Sequence, residues 1–163
     1  MTKKKIKEKA KLLNRHKRSA VFLDRDGTIV RQIDGSYLSS INQIKLIETI
    51  YPVVASLQNE GYIIIIVTNQ AGINKGIVTS EQVDKINQHI INSLKKYNIK
   101  ITDVYVCPHK IEEHCNCRKP EPGLLLQAAK EHNIDLENSI IIGDHEKDLE
   151  AGRRAGIKKV IKI

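Results

Sequence analysis

Ile63-Ile64-Ile65-Ile66-Val67 constrains the fold of this chain more than any other stretch. Five consecutive β-branched residues lose side-chain freedom in a helix and suit a pleated strand. An unbroken apolar run leaves no face for water, so this strand needs cover on both sides. The same reasoning picks out strands at 20–23, 62–67, 103–107, 139–142 and 159–162. Amphipathic stretches at about 47–60, 79–97, 123–133 and 146–155 are predicted helices between them. Thr79 and Gln82 have capping-box spacing, and Gly61 and Gly156 fall just past two helix ends. Strands alternating with helices predict an α/β fold, a parallel sheet with helices on both faces. The 163 residues suffice for one such domain.

The apolar runs are far shorter than the roughly 20 residues of a membrane span. No apolar stretch follows the basic N-terminus, so no secretory signal is expected and the cytoplasm is the expected location. Of 27 basic residues, nine lie within 1–18, together with only one of the 19 acidic residues. The net charge of +8 therefore belongs to that leader, and the other basic and acidic residues balance. Residues 1–18 are read as a basic extension and 19–163 as the domain. The leader is either a solvated tail or a weak tether to nucleic acid or anionic lipid. A neutral domain with one Phe and no Trp argues against a nucleic-acid partner.

In parallel α/β sheets, ligands bind beyond the carboxyl ends of the strands. Four polar clusters fall there: Asp24-Arg25-Asp26-Gly27-Thr28, Thr68-Asn69-Gln70, Arg118-Lys119-Pro120 and Gly143-Asp144-His145-Glu146-Lys147-Asp148. Asp24 and Asp26, two residues apart, repel unless a cation or proton lies between them. Asp24 and Asp144, with a backbone carbonyl near Asp26, form a hard oxygen set suited to Mg²⁺. Asp148 is expected one shell further out. Asp24 can then attack phosphorus, and Asp26 can protonate the leaving oxygen and later activate water. Thr68 and nearby amides can hold phosphoryl oxygens, and Lys119 can balance transition-state charge.

All three cysteines, Cys107, Cys115 and Cys117, lie within eleven residues, with His109 among them. Three thiolates and one imidazole complete a tetrahedral shell for structural Zn²⁺. The alternative is three thiols and a surface histidine with no metal. Such a loop would brace Lys119, two residues beyond Cys117. His114 is a weaker competing ligand.

The ordered set of DRDGT, TNQ, the lysine of RKP and GDHEKD resembles the four signature motifs of the haloacid dehalogenase (HAD) superfamily of phosphohydrolases. The resemblance runs from about residue 20 to residue 163. It implies a Rossmannoid three-layer sandwich, Mg²⁺ dependence and an aspartyl-phosphate intermediate. It assigns Asp24 as nucleophile, Asp26 as acid/base, Thr68 and Lys119 to the phosphate and Asp144 to the metal.

The cysteine loop resembles those of two types within the superfamily, the heptose 1,7-bisphosphate and the histidinol-phosphate phosphatases. The short spacer between His109 and Cys115 leans towards the histidinol type. Residues 68–76 and 118–123, and the short loop Asp34-Gly35-Ser36-Tyr37, look like the heptose type, which is favoured. The resemblance therefore implies removal of the 7-phosphate of D-glycero-D-manno-heptose 1,7-bisphosphate, with a polynucleotide 3′-phosphatase as a remoter alternative; a monomer is expected. Asp34, Tyr37, Asn69 and Gln70 are expected at the substrate. Lys75, Arg118 and His145 are cationic candidates for its second phosphate. No segment is long enough for a large cap domain, so residues 30–45 and 70–78 are expected to be short flaps.

Overall fold

The isoleucine run becomes the second strand of a five-stranded parallel sheet in the computed structural model, which describes residues 17–163. The strands are β1 (Ala20–Leu23), β2 (Ile63–Asn69), β3 (Ile101–Cys107), β4 (Ile140–Gly143) and β5 (Lys159–Lys162). Their order is β3-β2-β1-β4-β5. The helices are α1 (Tyr51–Asn59), α2 (Ser80–Lys95), α3 (Gly123–Glu131) and α4 (Glu146–Ala155).

Side chains of a strand alternate between faces, so the sheet divides the core in two. Val21, Leu23, Ile64, Ile66, Ile140 and Ile142 pack with Val54 of α1 and Ile86, Ile90 and Leu94 of α2. Ala20, Phe22, Ile63, Ile65, Val67 and Ile141 pack with Leu125 and Ala128 of α3 and Ala151 and Ala155 of α4. Burying one Ile or Phe side chain contributes roughly 1.5–3 kcal/mol, so this double layer dominates stability.

Several boundaries differ from the sequence reading. The first helical stretch begins with a 3-10 turn, Glu48–Ile50, before α1. Pro52 sits in the first turn of α1, where its missing N–H leaves no hydrogen bond unmade. Strand β3 starts at Ile101, two residues early, because an edge strand tolerates the half-exposed Thr102 and Asp103. The Thr79–Gln82 capping box opens α2, and Gly156 ends α4 at φ 90°. Arg18 bridges to Ile134, so the folded part begins inside the stretch read as an extension. Residues 1–16 of that extension lie outside the described residues. Among the described residues, no helix is long and apolar enough to cross a membrane.

Register brings the functional segments together. Leu23 pairs with Ile66 on one side and Ile142 on the other, so Asp24, Thr68 and Asp144 leave the sheet at one edge. The chain order reverses between β1 and β4, the switch point where open α/β sheets form their crevice.

Candidate active site

The turn after β1 winds around one carbonyl. The amides of Thr28, Ile29 and Val30 all donate to the Arg25 oxygen, at 3.3, 2.9 and 3.1 Å. Gly27 takes φ 88° there, and a Cβ on it would lie 2.1 Å from Oδ2 of Asp144. Only glycine allows both the left-handed backbone and the close approach. The turn thereby sets Asp24 against Asp144 across the switch point.

Lys119 joins the two sides of the site. It is 3% exposed, and its ammonium lies 2.5 Å from Oδ1 of Asp24 and 2.6 Å from Oδ1 of Asp148. It also donates to the Val67 carbonyl at 2.7 Å. Burial favours the neutral amine, but Asp24 and Asp148 outweigh it and raise the lysine's pKa, so Lys119 is cationic. Burial also pushes the Asp24 carboxyl up to about 6, against the pull of Lys119.

Carboxylate oxygens of Asp24, Asp144 and Asp148 lie within 4.8 Å of one another. Oδ1 of Asp144 is buried and has no hydrogen-bond partner. Three carboxylates facing one ammonium leave two negative charges when ionised, which one divalent cation would neutralise. Oδ2 of Asp148 accepts from the His145 amide at 3.1 Å.

The carboxylate of Asp26, whose backbone carbonyl is the part expected at the metal, sits in a clamp. Arg25, 0% exposed, donates to both oxygens at 3.0–3.2 Å. Gln70 donates to Oδ2 at 2.6 Å and to Oγ1 of Thr68 at 2.8 Å. Gln70, expected at the substrate, thus tethers two other site residues. Asn69 also turns inward, bonding the Lys119 carbonyl at 3.0 Å and amide at 3.1 Å.

Above these groups opens a cavity of about 440 Å³. Asp24, Asp26, Thr68, Asn69 and Gln70 form part of its wall; Tyr37, Lys75, Arg118 and His145 line it as well. Lys75 Nζ lies 5.7 Å from the Tyr37 ring centre. His145 lies 3.3 Å from Oδ2 of Asp144 and 3.4 Å from Oε1 of Gln32. Asp34 is exposed in its turn and does not line the cavity. Gln32 and Lys147 do, although neither stood out in the sequence.

The second cluster lies one loop away. Sulfurs of Cys107, Cys115 and Cys117 and Nδ1 of His109 all fall within 4.8 Å of one another. Individual separations are 3.2 Å for His109–Cys117, 3.3 Å for Cys107–Cys117 and 3.7 Å for Cys107–Cys115. A tetrahedron with metal–sulfur bonds of about 2.3 Å has edges of about 3.8 Å, so the set fits a single ion. Burial pushes the Cys107 thiol up. Burial acts the same way on Cys115, but the amides of Cys117 and Arg118 outweigh it and bring it to about 7. His114 is outside the cluster and lines a neighbouring cavity of about 610 Å³.

A family profile described as haloacid dehalogenase-like hydrolase matches residues 5–162. The chain belongs to this family. Among curated relatives, a D-glycero-β-D-manno-heptose-1,7-bisphosphate 7-phosphatase of Helicobacter pylori is 42% identical over 140 residues, 85% of this chain and 80% of its own length. A D-glycero-α-D-manno-heptose-1,7-bisphosphate 7-phosphatase of Photorhabdus laumondii is 36% identical over 90% of this chain and 83% of its own. Among solved structures, a D,D-heptose 1,7-bisphosphate phosphatase from B. bronchiseptica, complexed with magnesium and phosphate, superposes with TM-score 0.79 at 26% identity. That match covers 85% of this chain and 77% of the other.

Proposed function

We propose that the chain is a Mg²⁺-dependent phosphatase that removes the 7-phosphate of D-glycero-D-manno-heptose 1,7-bisphosphate through a phosphorylated Asp24. The observation that carries this reading is the partnerless Oδ1 of Asp144, beside an Asp24 already paired with Lys119. Bound Mg²⁺, held by Asp24, Asp144 and the Asp26 carbonyl with Asp148 behind them, would supply positive charge against the phosphoryl oxygens.

Lys119 engages Oδ1 of Asp24, and no hydrogen bond among the described residues engages Oδ2. In this reading Oδ2 is the attacking atom, while Oδ1 stays with Lys119. As the Asp24–phosphorus bond forms and the bond to the sugar oxygen breaks, Asp26 gives that oxygen its proton. Asp26 then takes a proton from the water that attacks the acyl phosphate, releasing inorganic phosphate and restoring Asp24. The Thr68 hydroxyl and the Lys119 ammonium stabilise charge on the transferring group. Lys75, Arg118 and His145 at the cavity wall suit the second phosphate of a bisphosphate. The substrate follows the names of relatives that align over most of this chain.

The Cys107, His109, Cys115 and Cys117 set holds structural Zn²⁺ in this reading. Cysteines kept reduced for a metal suit a reducing compartment, the cytoplasm. Phosphate release from heptose 1,7-bisphosphate and from histidinol phosphate, measured side by side, tests the assignment. A large preference for the heptose ester is expected; a preference for histidinol phosphate overturns the substrate.

A further inference from the structure

Arg25 stands apart from the other site residues. It lies between the two catalytic aspartates in sequence, yet the guanidinium never reaches the cavity. It is fully buried, and a buried guanidinium is costly unless its donors are satisfied. Each of its three nitrogens has a partner. Nε and Nη2 grip both oxygens of Asp26, with Nη2 3.0 Å from Oδ2. Nη1 donates to Oδ1 of Asn87 at 2.8 Å. Asn87 is itself buried, on α2, 62 residues along the chain.

From this geometry we infer that Arg25, anchored by Asn87, is a positioning residue that aims the Asp26 carboxyl at the leaving oxygen of the substrate. A short aspartate at a turn has two free torsions and no intrinsic reason to face the cavity. A two-pronged donor fixes the plane of the carboxylate as well as its place, which a lysine cannot do. Asn87 fixes the fork in turn, and α2 belongs to the packed core, so the aim rests on a rigid element. Gln70 completes the cradle from the residue after β2 and ties Asp26 to Thr68, the residue assigned to the phosphoryl group. Proton donation is then registered against phosphate binding by a chain running Asn87–Arg25–Asp26–Gln70–Thr68. Misaiming the acid should slow protonation of the leaving group while leaving substrate binding almost intact.

This inference rests on Asp26 as the acid, and the experiment separates the two. The readout is kcat/KM for two esters, an alkyl sugar phosphate and 4-nitrophenyl phosphate. The alkyl alkoxide needs a proton to leave; the nitrophenolate does not. Asp26→Asn serves as the reference and should lose activity on the sugar phosphate far more than on the aryl ester. Arg25→Lys should show the same split, about 10-fold in the ratio of the two esters, with KM nearly unchanged. Asn87→Ala, a milder change well away from the cavity, should show it at a few-fold, and it carries the test if Arg25→Lys does not fold. A merely structural role would lower the active fraction and cut both activities equally. That equal loss in both variants, with the split present in Asp26→Asn, overturns the role of Arg25. Absence of the split in Asp26→Asn overturns the acid assignment and this inference with it.

Discussion

Two clusters of ligand-type side chains lie on either side of Lys119, and they are built on opposite principles. The oxygen cluster draws Asp24 and Asp144 from the ends of two strands far apart in the chain. It has a buried orphan oxygen and opens onto the cavity. The sulfur cluster takes all four ligands from Cys107 to Cys117, and its members already face one another. An open shell leaves room for substrate, whereas a closed shell has only structure to offer. In the proposed reading the sheet sets the chemistry and the loop sets its precision. Lys119 belongs to both, because its side chain ends at Asp24 while its backbone follows Cys117 by two residues.

Substitutions in the oxygen cluster should stop chemistry and spare the fold. Asp24→Asn should lower kcat by about 10⁴-fold or more, with an unchanged circular dichroism spectrum and full zinc content. Retained turnover in that variant would remove Asp24 as nucleophile. Substitutions in the sulfur cluster should act in the reverse order, on the fold first. Cys107→Ser should lose the bound zinc measured by mass spectrometry, melt at lower temperature, and lose about 10²-fold in kcat through misplacement of Lys119. Unchanged melting and activity would break the proposed division of roles.

Gly27→Ala tests the oxygen cluster from the backbone side. The left-handed φ adds about 1–3 kcal/mol of strain, and the new Cβ displaces Asp144. Weaker Mg²⁺ binding by calorimetry, with zinc retained, is the expected result.

A pH effect separates the clusters further. The Asp24 carboxyl titrates at about 6 in the folded protein, above its ordinary 3.8. The folded state therefore binds this proton more tightly than the unfolded state. Its contribution favours folding below 3.8 and is lost as pH rises through about 6. Without Mg²⁺, Asp24→Asn should gain stability relative to the parent across that window, and thermal melts in chelator at several pH values would show it. A constant difference would mean that Asp24 carries no burial strain.

The smallest effect is expected where the sulfur loop touches the substrate flap. Asn74 donates to both carboxylate oxygens of Glu113, at 2.9 and 3.0 Å. An exposed bond of this kind is worth about 0.5–1.5 kcal/mol. Asn74→Ala should raise KM a few-fold by freeing Lys75, with kcat unchanged; a fall in kcat instead would mean that the flap acts on the chemistry.

Both clusters were readable in the sequence, for different reasons. The sulfur ligands are close enough in the chain for spacing alone to show them. The oxygen ligands follow apolar runs, and a parallel sheet brings such ends to one edge. The residues behind them were hidden. Nothing local to Arg25 says that Asn87 reaches it across 62 residues. Gln70 and Asn69 read as substrate ligands because their amides follow Thr68, yet both amides turn inward. Asp34 shares the loop of Tyr37, but the turn carries it away from the cavity.

The parallel sheet, the strand-end aspartates and the thiol loop can be read from the amino-acid sequence alone. These follow from side-chain period and ligand spacing, which are local properties of the chain. Arg25 clamping Asp26, Lys119 bridging Asp24 and Asp148, and the Asp144 oxygen without a partner emerge only in three dimensions. Those facts depend on which distant groups share a desolvated space, where each buried charge must find a partner or an ion.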